Sequence, residues 1–175
     1  QDEPMKLQSR RNFFRQAGVG TAAFAGAPLL SGAVVADDQF NKVRHFFSEG
    51  DVLLFQGDSI TDAGRNKERE LSNTAGSFGT GYALLTASWL LEELAQKKLT
   101  IYNRGISGNK VFQLADRWEK DCLALEPDVL SILIGVNDYW HMRNGKYDGT
   151  PEVFENDYRA LLQRTKSSLP GIRLV

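Results

Sequence analysis

The 175-residue sequence holds a single cysteine, Cys122, and only two histidines, His45 and His141. One cysteine excludes an internal disulfide, and Cys122 has no neighbours at metal-ligand spacing. It reads as a small buried core residue. A charge excess of either sign is also missing, with 21 Lys and Arg against 22 Asp and Glu. Nothing therefore marks a nucleic-acid partner, and there is no acidic tail. Internal repeats and low-complexity segments are absent, and the length fits one globular domain.

The first 36 residues are set apart. Ser9-Arg10-Arg11-Asn12-Phe13-Phe14-Arg15 pairs two arginines ahead of aromatic residues, and residues 16–36 then carry no charged side chain. The stretch closes on Val34-Val35-Ala36, small residues of the kind a signal peptidase reads. A basic start, an apolar middle and a small-residue exit describe an export signal. The adjacent arginines and the Ala/Gly-rich middle favour the twin-arginine export machinery, with cleavage after Ala36 and no stable membrane insertion afterwards. The alternative is a membrane anchor, for which the stretch is short and weakly apolar. An exported, periplasmic or extracellular bacterial protein is the expectation, with domain residues 37–175 holding 17 positive and 20 negative side chains.

Beyond residue 37, short apolar runs alternate with helical patterns. Val52-Leu53-Leu54-Phe55 predicts a buried strand, 63–80 a long polar loop, and 82–97 a helix. That helix would present Leu84, Leu85, Trp89, Leu90 and Leu94 as one apolar face. A second strand is predicted over 99–102, and a second helix over 111–125, stopped by Pro127. A third strand follows over 129–134. Thr150 with Pro151 signals a helix start, and that helix runs to about Leu169. Residues 172–175 look like the beginning of a fourth strand, so the sequence reads as the N-terminal part of a longer domain. Alternating strands and helices predict a parallel sheet in an α/β layer fold.

In such a sheet, ligands bind beyond the carboxyl ends of the strands. Gly57-Asp58-Ser59, Asn103-Arg104-Gly105-Ile106-Ser107-Gly108-Asn109 and Gly135-Val136-Asn137-Asp138 follow the first three strands. They bring a hydroxyl, a glycine turn with free backbone N–H groups and a carboxamide to one rim. These are the parts needed for acyl transfer: a nucleophile and donors for a developing oxyanion. Singly, Ser59 also fits a helix N-cap, Gly108 a turn former and Asn137-Asp138 a plain turn.

On these three blocks the sequence resembles the SGNH hydrolases, the GDSL esterase and lipase family. The resemblance spans Asp51 to Val175. It implies a flavodoxin-like three-layer α/β/α fold with strand order 2-1-3-4-5. Ser59 would be the nucleophile and an oxyanion donor, with Gly108 and Asn137 as the other donors. It further implies an acyl-serine intermediate, no cofactor and no metal. The substrate would be a small-molecule or polysaccharide ester, with removal of acetyl groups from carbohydrate as the leading choice and a related lipolytic ester as the next.

The family's base comes from an Asp-x-x-His block, which is expected beyond Val175. His45 precedes the first strand and reads as structural. Asp138-Tyr139-Trp140-His141 has the right spelling in the wrong place, beside the third block. Asp58, Tyr139, Trp140 and His141 are instead expected to line the substrate cleft, between loops 63–79 (with Arg65, Lys67 and Arg69) and 139–150. Two other readings stay open: a cleft-binding module that lacks the base, and a flavodoxin-like nucleotide or flavin binder. Asp58 and Asp62 after the first strand oppose the latter, because they would repel phosphate.

Overall fold

The computed structural model describes residues 40–175. The predicted export signal lies outside the described residues. The chain divides into units of residues 1–42 and 43–175, and the second holds the whole sheet.

Four parallel strands lie in the order β2-β1-β3-β4: β1 (Val52–Gly57), β2 (Thr100–Asn103), β3 (Val129–Leu133) and β4 (Arg173–Leu174). The order agrees with the predicted doubly wound topology. Leu53 of β1 pairs with Ile101 on one side and Val129 on the other. Successive side chains of a strand point to opposite faces, and the β1 sequence shows the consequence. Leu53 and Phe55 enter one core, with Ala83, Ala87, Leu90, Leu94 and Ile101. Leu54 enters the other, with Val111, Leu114, Trp118, Cys122 and Leu161. Neither face of β1 meets water, which explains its uninterrupted apolar run.

After β1 the α-helices are α1 (Ser59–Asp62), α2 (Ala75–Phe78), α3 (Tyr82–Glu93), α4 (Val111–Asp116), α5 (Trp118–Asp121), α6 (Val136–Arg143) and α7 (Pro151–Ser168). Four differ from the sequence expectation, the first being α2, which lies within the predicted 63–80 loop. In α3 the buried residues are Ala83, Ala87 and Leu90, while Leu85 is 71% and Trp89 41% exposed. Two alanines let this helix press its backbone close to the sheet, so the small residues face inward and the larger ones do not. The predicted 111–125 helix is broken at Arg117, whose backbone (φ −104°, ψ 6°) leaves the helical region. The apolar spacing continues across the break, and Trp118 is fully buried with its indole N–H donating to Thr165 Oγ1 (2.9 Å). Finally, 136–143 is helical, although 139–150 reads as a loop.

The start of α7 matches its signals. Thr150 Oγ1 accepts the Val153 N–H (3.3 Å), and Pro151 occupies the first turn, where no N–H is needed. Cys122 is buried as expected, and desolvation raises its thiol pKa to about 12. Among the described residues no helix is long and apolar enough to cross a membrane.

Candidate active site

The site is built where the chain leaves β1. Asp58 is buried and caps α1, its Oδ1 accepting the Ile60 N–H (2.9 Å). Ser59 is therefore not the cap. It is the first helical residue, exposed, with its own N–H lacking a hydrogen-bond partner among the described residues. A short first turn leaves such donors free. The helix ends after one turn at Ala63, in the left-handed region (φ 41°).

The segment after β2 is stitched onto this turn. The amide of Asn103, itself buried, donates to Thr61 O (2.6 Å) and Phe78 O (2.9 Å), and its Oδ1 accepts the Gly105 N–H (2.8 Å). The Ile106 N–H reaches Gly57 O (3.0 Å), and the Ser107 N–H reaches Asp62 Oδ2 (2.8 Å). Gly105 sits so close to α1 that a Cβ there would lie 2.4 Å from Asp62 N. Gly108 differs: its φ of +84° demands glycine-like freedom, but space around it is open. Its N–H has no partner among the described residues. The two glycines thus differ, with close approach at Gly105 and, at half-buried Gly108, an N–H without a partner among the described residues.

Asp62 is the main fastener. Burial would raise its pKa, but Lys67 and the N–H groups of Ser107 and Arg65 outweigh that and hold it below the ordinary carboxylate value. Lys67 Nζ lies 2.8 Å from Oδ2 and 2.9 Å from Oδ1. Arg65, expected on a cleft-lining loop, is instead buried, with Nε donating to Gly105 O (2.8 Å) and its guanidinium beside Glu70 (3.4 Å). Asn103, Asp62 and Arg65 were named in the sequence, but their structural roles in holding the site together were not assigned there. Asn103 alone had a local signal, a polar side chain at a strand end; Asp62 and Arg65, five and eight residues beyond β1, had none.

The third block opens α6. Asn137 Nδ2 donates to Asn109 O (3.1 Å), which brings the carboxamide against the residue after Gly108. Asp138 Oδ1 accepts the Val111 N–H (3.1 Å), tying α6 to the start of α4, while Oδ2 is buried without a hydrogen-bond partner. Burial raises the Asp138 pKa, opposed chiefly by the Val111 N–H. His141 lies one helical turn beyond Asn137 on the same side of α6. Among the described residues no hydrogen bond joins it to Asp138 or to Ser59. The Asp138 carboxylate is engaged in helix docking and does not orient an imidazole.

Tyr139 and Trp140 are exposed on α6. On the side of the helix away from Asn137, a cavity of about 230 Å³ opens towards the start of α7, lined by Tyr139, Met142, Tyr147 and Phe154 above Gly135 and Asp138. Of the predicted cleft residues, Tyr139 borders this cavity, whereas His141 shares the Asn137 side. Among the described residues no cluster of three or more His, Cys, Asp or Glu side chains could hold a metal ion.

Comparison with known proteins gives a consistent result. The model of the GDSL-like Lipase/Acylhydrolase family matches residues 55–175. The acetylxylan esterase of Geobacillus stearothermophilus is 38% identical over 130 residues, which are 72% of this chain and 59% of the esterase. A crystal structure of a protein named as a GDSL-like lipase from Parabacteroides merdae superposes with a TM-score of 0.71 at 58% identity, over 73% of this chain and 59% of that one. The crystal structure of the Geobacillus esterase gives 0.66 at 37% identity, over 73% and 60%. Its solved catalytic mutants replace a serine, an aspartate and a histidine, the last two three positions apart. The chain spans 59% to 60% of the length of these relatives.

Proposed function

From the premise that this chain belongs to the GDSL-like lipase/acylhydrolase family, we propose that the whole protein hydrolyses a carboxylic ester through an acyl-Ser59 intermediate. One observation carries the reading: an exposed serine at a strand-to-helix turn, backbone N–H groups at Ser59 and Gly108 without a partner among the described residues, and a carboxamide, Asn137, tied to Asn109 all follow the carboxyl ends of parallel strands. In this mechanism Ser59 Oγ attacks the acyl carbon, and the carbonyl electron pair moves onto oxygen. The three donors stabilise that oxyanion; losing one such donor typically slows a reaction by about 10²–10³. Collapse expels the alcohol, and water then releases the acid.

A base must take the Ser59 proton and return it to the alcohol. We assign that role to a histidine of an Asp-x-x-His block outside residues 1–175. The support is the spacing of the aspartate and histidine in the catalytic mutants of the Geobacillus esterase, together with the engagement of Asp138 elsewhere. The substrate we favour is an acetylated carbohydrate. The relative's name supports it, as do the ring faces that Tyr139 and Trp140 expose at the rim. Residues 1–36 would be a twin-arginine signal carrying the enzyme out of the cytoplasm.

The deciding experiment is turnover of p-nitrophenyl acetate and acetylated xylan by the intact gene product. Ser59→Ala should lower kcat by at least about a thousandfold without loss of fold. His141→Ala should keep at least about a tenth of the activity. A His141→Ala loss as deep as that of Ser59→Ala would move the base to His141. An inactive wild type would leave the cleft-binding reading in its place.

A further inference from the structure

Arg117 stands at the junction of α4 and α5, outside the three blocks in sequence, yet its guanidinium bonds directly to the first two and reaches the third through Asn109. Nη1 donates to Arg104 O (2.8 Å) and to Asp121 Oδ2 (3.0 Å), Nη2 to Gly57 O (3.4 Å), and Nε to Asn109 Oδ1 (2.9 Å). Gly57 is two residues before Ser59. Arg104 opens the turn that ends in Gly108. Asn109 is the residue whose carbonyl holds the Asn137 amide. The side chain is only 15% exposed.

We propose that Arg117 is the positioning residue of the oxyanion hole: through Asn109 it sets the direction of the Asn137 amide, and through two rim carbonyls it holds the turns bearing Ser59 and Gly108. The kinetic consequence rests on the ester-hydrolysing reading, whereas the hydrogen-bond relay stands apart from it. Asn109 is committed at every polar group the relay needs. Its N–H donates to Ile106 O (3.2 Å), its Oδ1 is held by Arg117, and its carbonyl accepts from Asn137.

The torsion that turns an asparagine amide is broad and shallow. One fixed N–H···O bond therefore determines where the second N–H points, and that second donor is the one available to an oxyanion. A guanidinium suits the relay because its planar fork serves divergent acceptors at once, which a lysine nitrogen on a flexible stem does not. Burial lowers the Arg117 pKa, with Asp121 as the chief opposing influence.

The test uses the intact gene product. Arg117→Gln and Asn109→Ala should each lower kcat for p-nitrophenyl acetate by at least about tenfold and shift KM by less than about twofold. Each should also make Asn137→Ala nearly silent when combined with it, because the amide it removes is already misdirected. Arg164→Gln, which removes an exposed pair with Glu119, is the control and should stay within about twofold of wild type. Nuclear magnetic resonance of the Asn137 side-chain amide supplies a readout free of turnover: its protons should move to the solvent-exposed position in both variants.

A folded Arg117→Gln with kcat within about twofold of wild type, or losses that simply multiply with those of Asn137→Ala, would overturn the proposal. If Arg117→Gln does not fold, Asn109→Ala decides by the same criteria. If the wild type turns over no ester, the ester reading falls, and the amide signal alone judges the relay: no change in either variant sinks it.

Discussion

Around the ends of β1 and β2, backbone and side chains are bound tightly to one another; across the rim, α6 and residues 144–150 leave aromatic rings exposed and a cavity of about 230 Å³. The first region spends buried charge on rigidity. Asp62, Arg65 and Asn103 are each buried and each bound to a backbone group of a neighbouring turn. The second region has the opposite character, with Tyr139 60% and Trp140 64% exposed. Oxyanion donors must be in place before the charge develops, so a locked half suits the proposed chemistry. An open half suits recognition of a ligand that varies in shape. Asn137 is the hinge of this contrast, since it lies on α6 but is tied to Asn109.

Three experiments would break or sharpen the contrast. The largest effect is expected at Gly105→Ala. Its Cβ would strike backbone at Asp62 N and at Thr61 C (2.7 Å), neither of which can move alone. We expect a loss of about 3 kcal/mol in chemical denaturation. Gly108→Ala, with its positive φ but open surroundings, should lose only ~1 kcal/mol. Equal losses at both positions would mean that the packing of the locked half had been misjudged.

Asp62→Asn comes next, with an expected loss of about 2 kcal/mol near neutral pH. The folded-state pKa of Asp62 is lowered, so its contribution is fully present above the ordinary value of 3.8 and disappears as pH falls through the folded value below it. Denaturation of wild type and variant across that range should therefore converge in acid. A difference that stays constant with pH would show that the carboxylate charge is not the fastener.

The smallest stability effects belong to the open half. Tyr139→Ala and Trp140→Ala should stay within about 0.5 kcal/mol of wild type. In the intact gene product they should raise KM for acetylated xylan several-fold, in keeping with the loss of ~1 kcal/mol of ring contact, and leave p-nitrophenyl acetate almost untouched. An equal rise for both substrates would remove these rings from carbohydrate recognition.

The parts of the molecule that were legible in advance share a local cause. An apolar run such as 52–55 declares a strand buried on both faces, and Thr150-Pro151 declares a helix start, because neighbours in sequence settle both. Where reading failed, the cause was distant. In α3 the alanines face inward because the sheet sets the approach distance, so Leu85 and Trp89 lie outside despite their size. In α6 no apolar period exists to be read, since a rim helix with most of its surface in solvent has little need of one.

By itself the sequence determined the alternation of strands and helices, the three polar turns at strand ends, and hence the gathering of Ser59, Gly108 and Asn137 on one rim. Parallel strands leave little choice about that rim, because all their carboxyl ends point the same way. Tertiary structure alone decided that Gly105 packs while the Gly108 N–H is left without a partner among the described residues, and that Arg117 ties the first two turns together and reaches the third through Asn109. These outcomes rest on contacts between separate elements, some of them hydrogen bonds that span 42 to 60 positions, and no local pattern encodes a bond whose partner is supplied by folding.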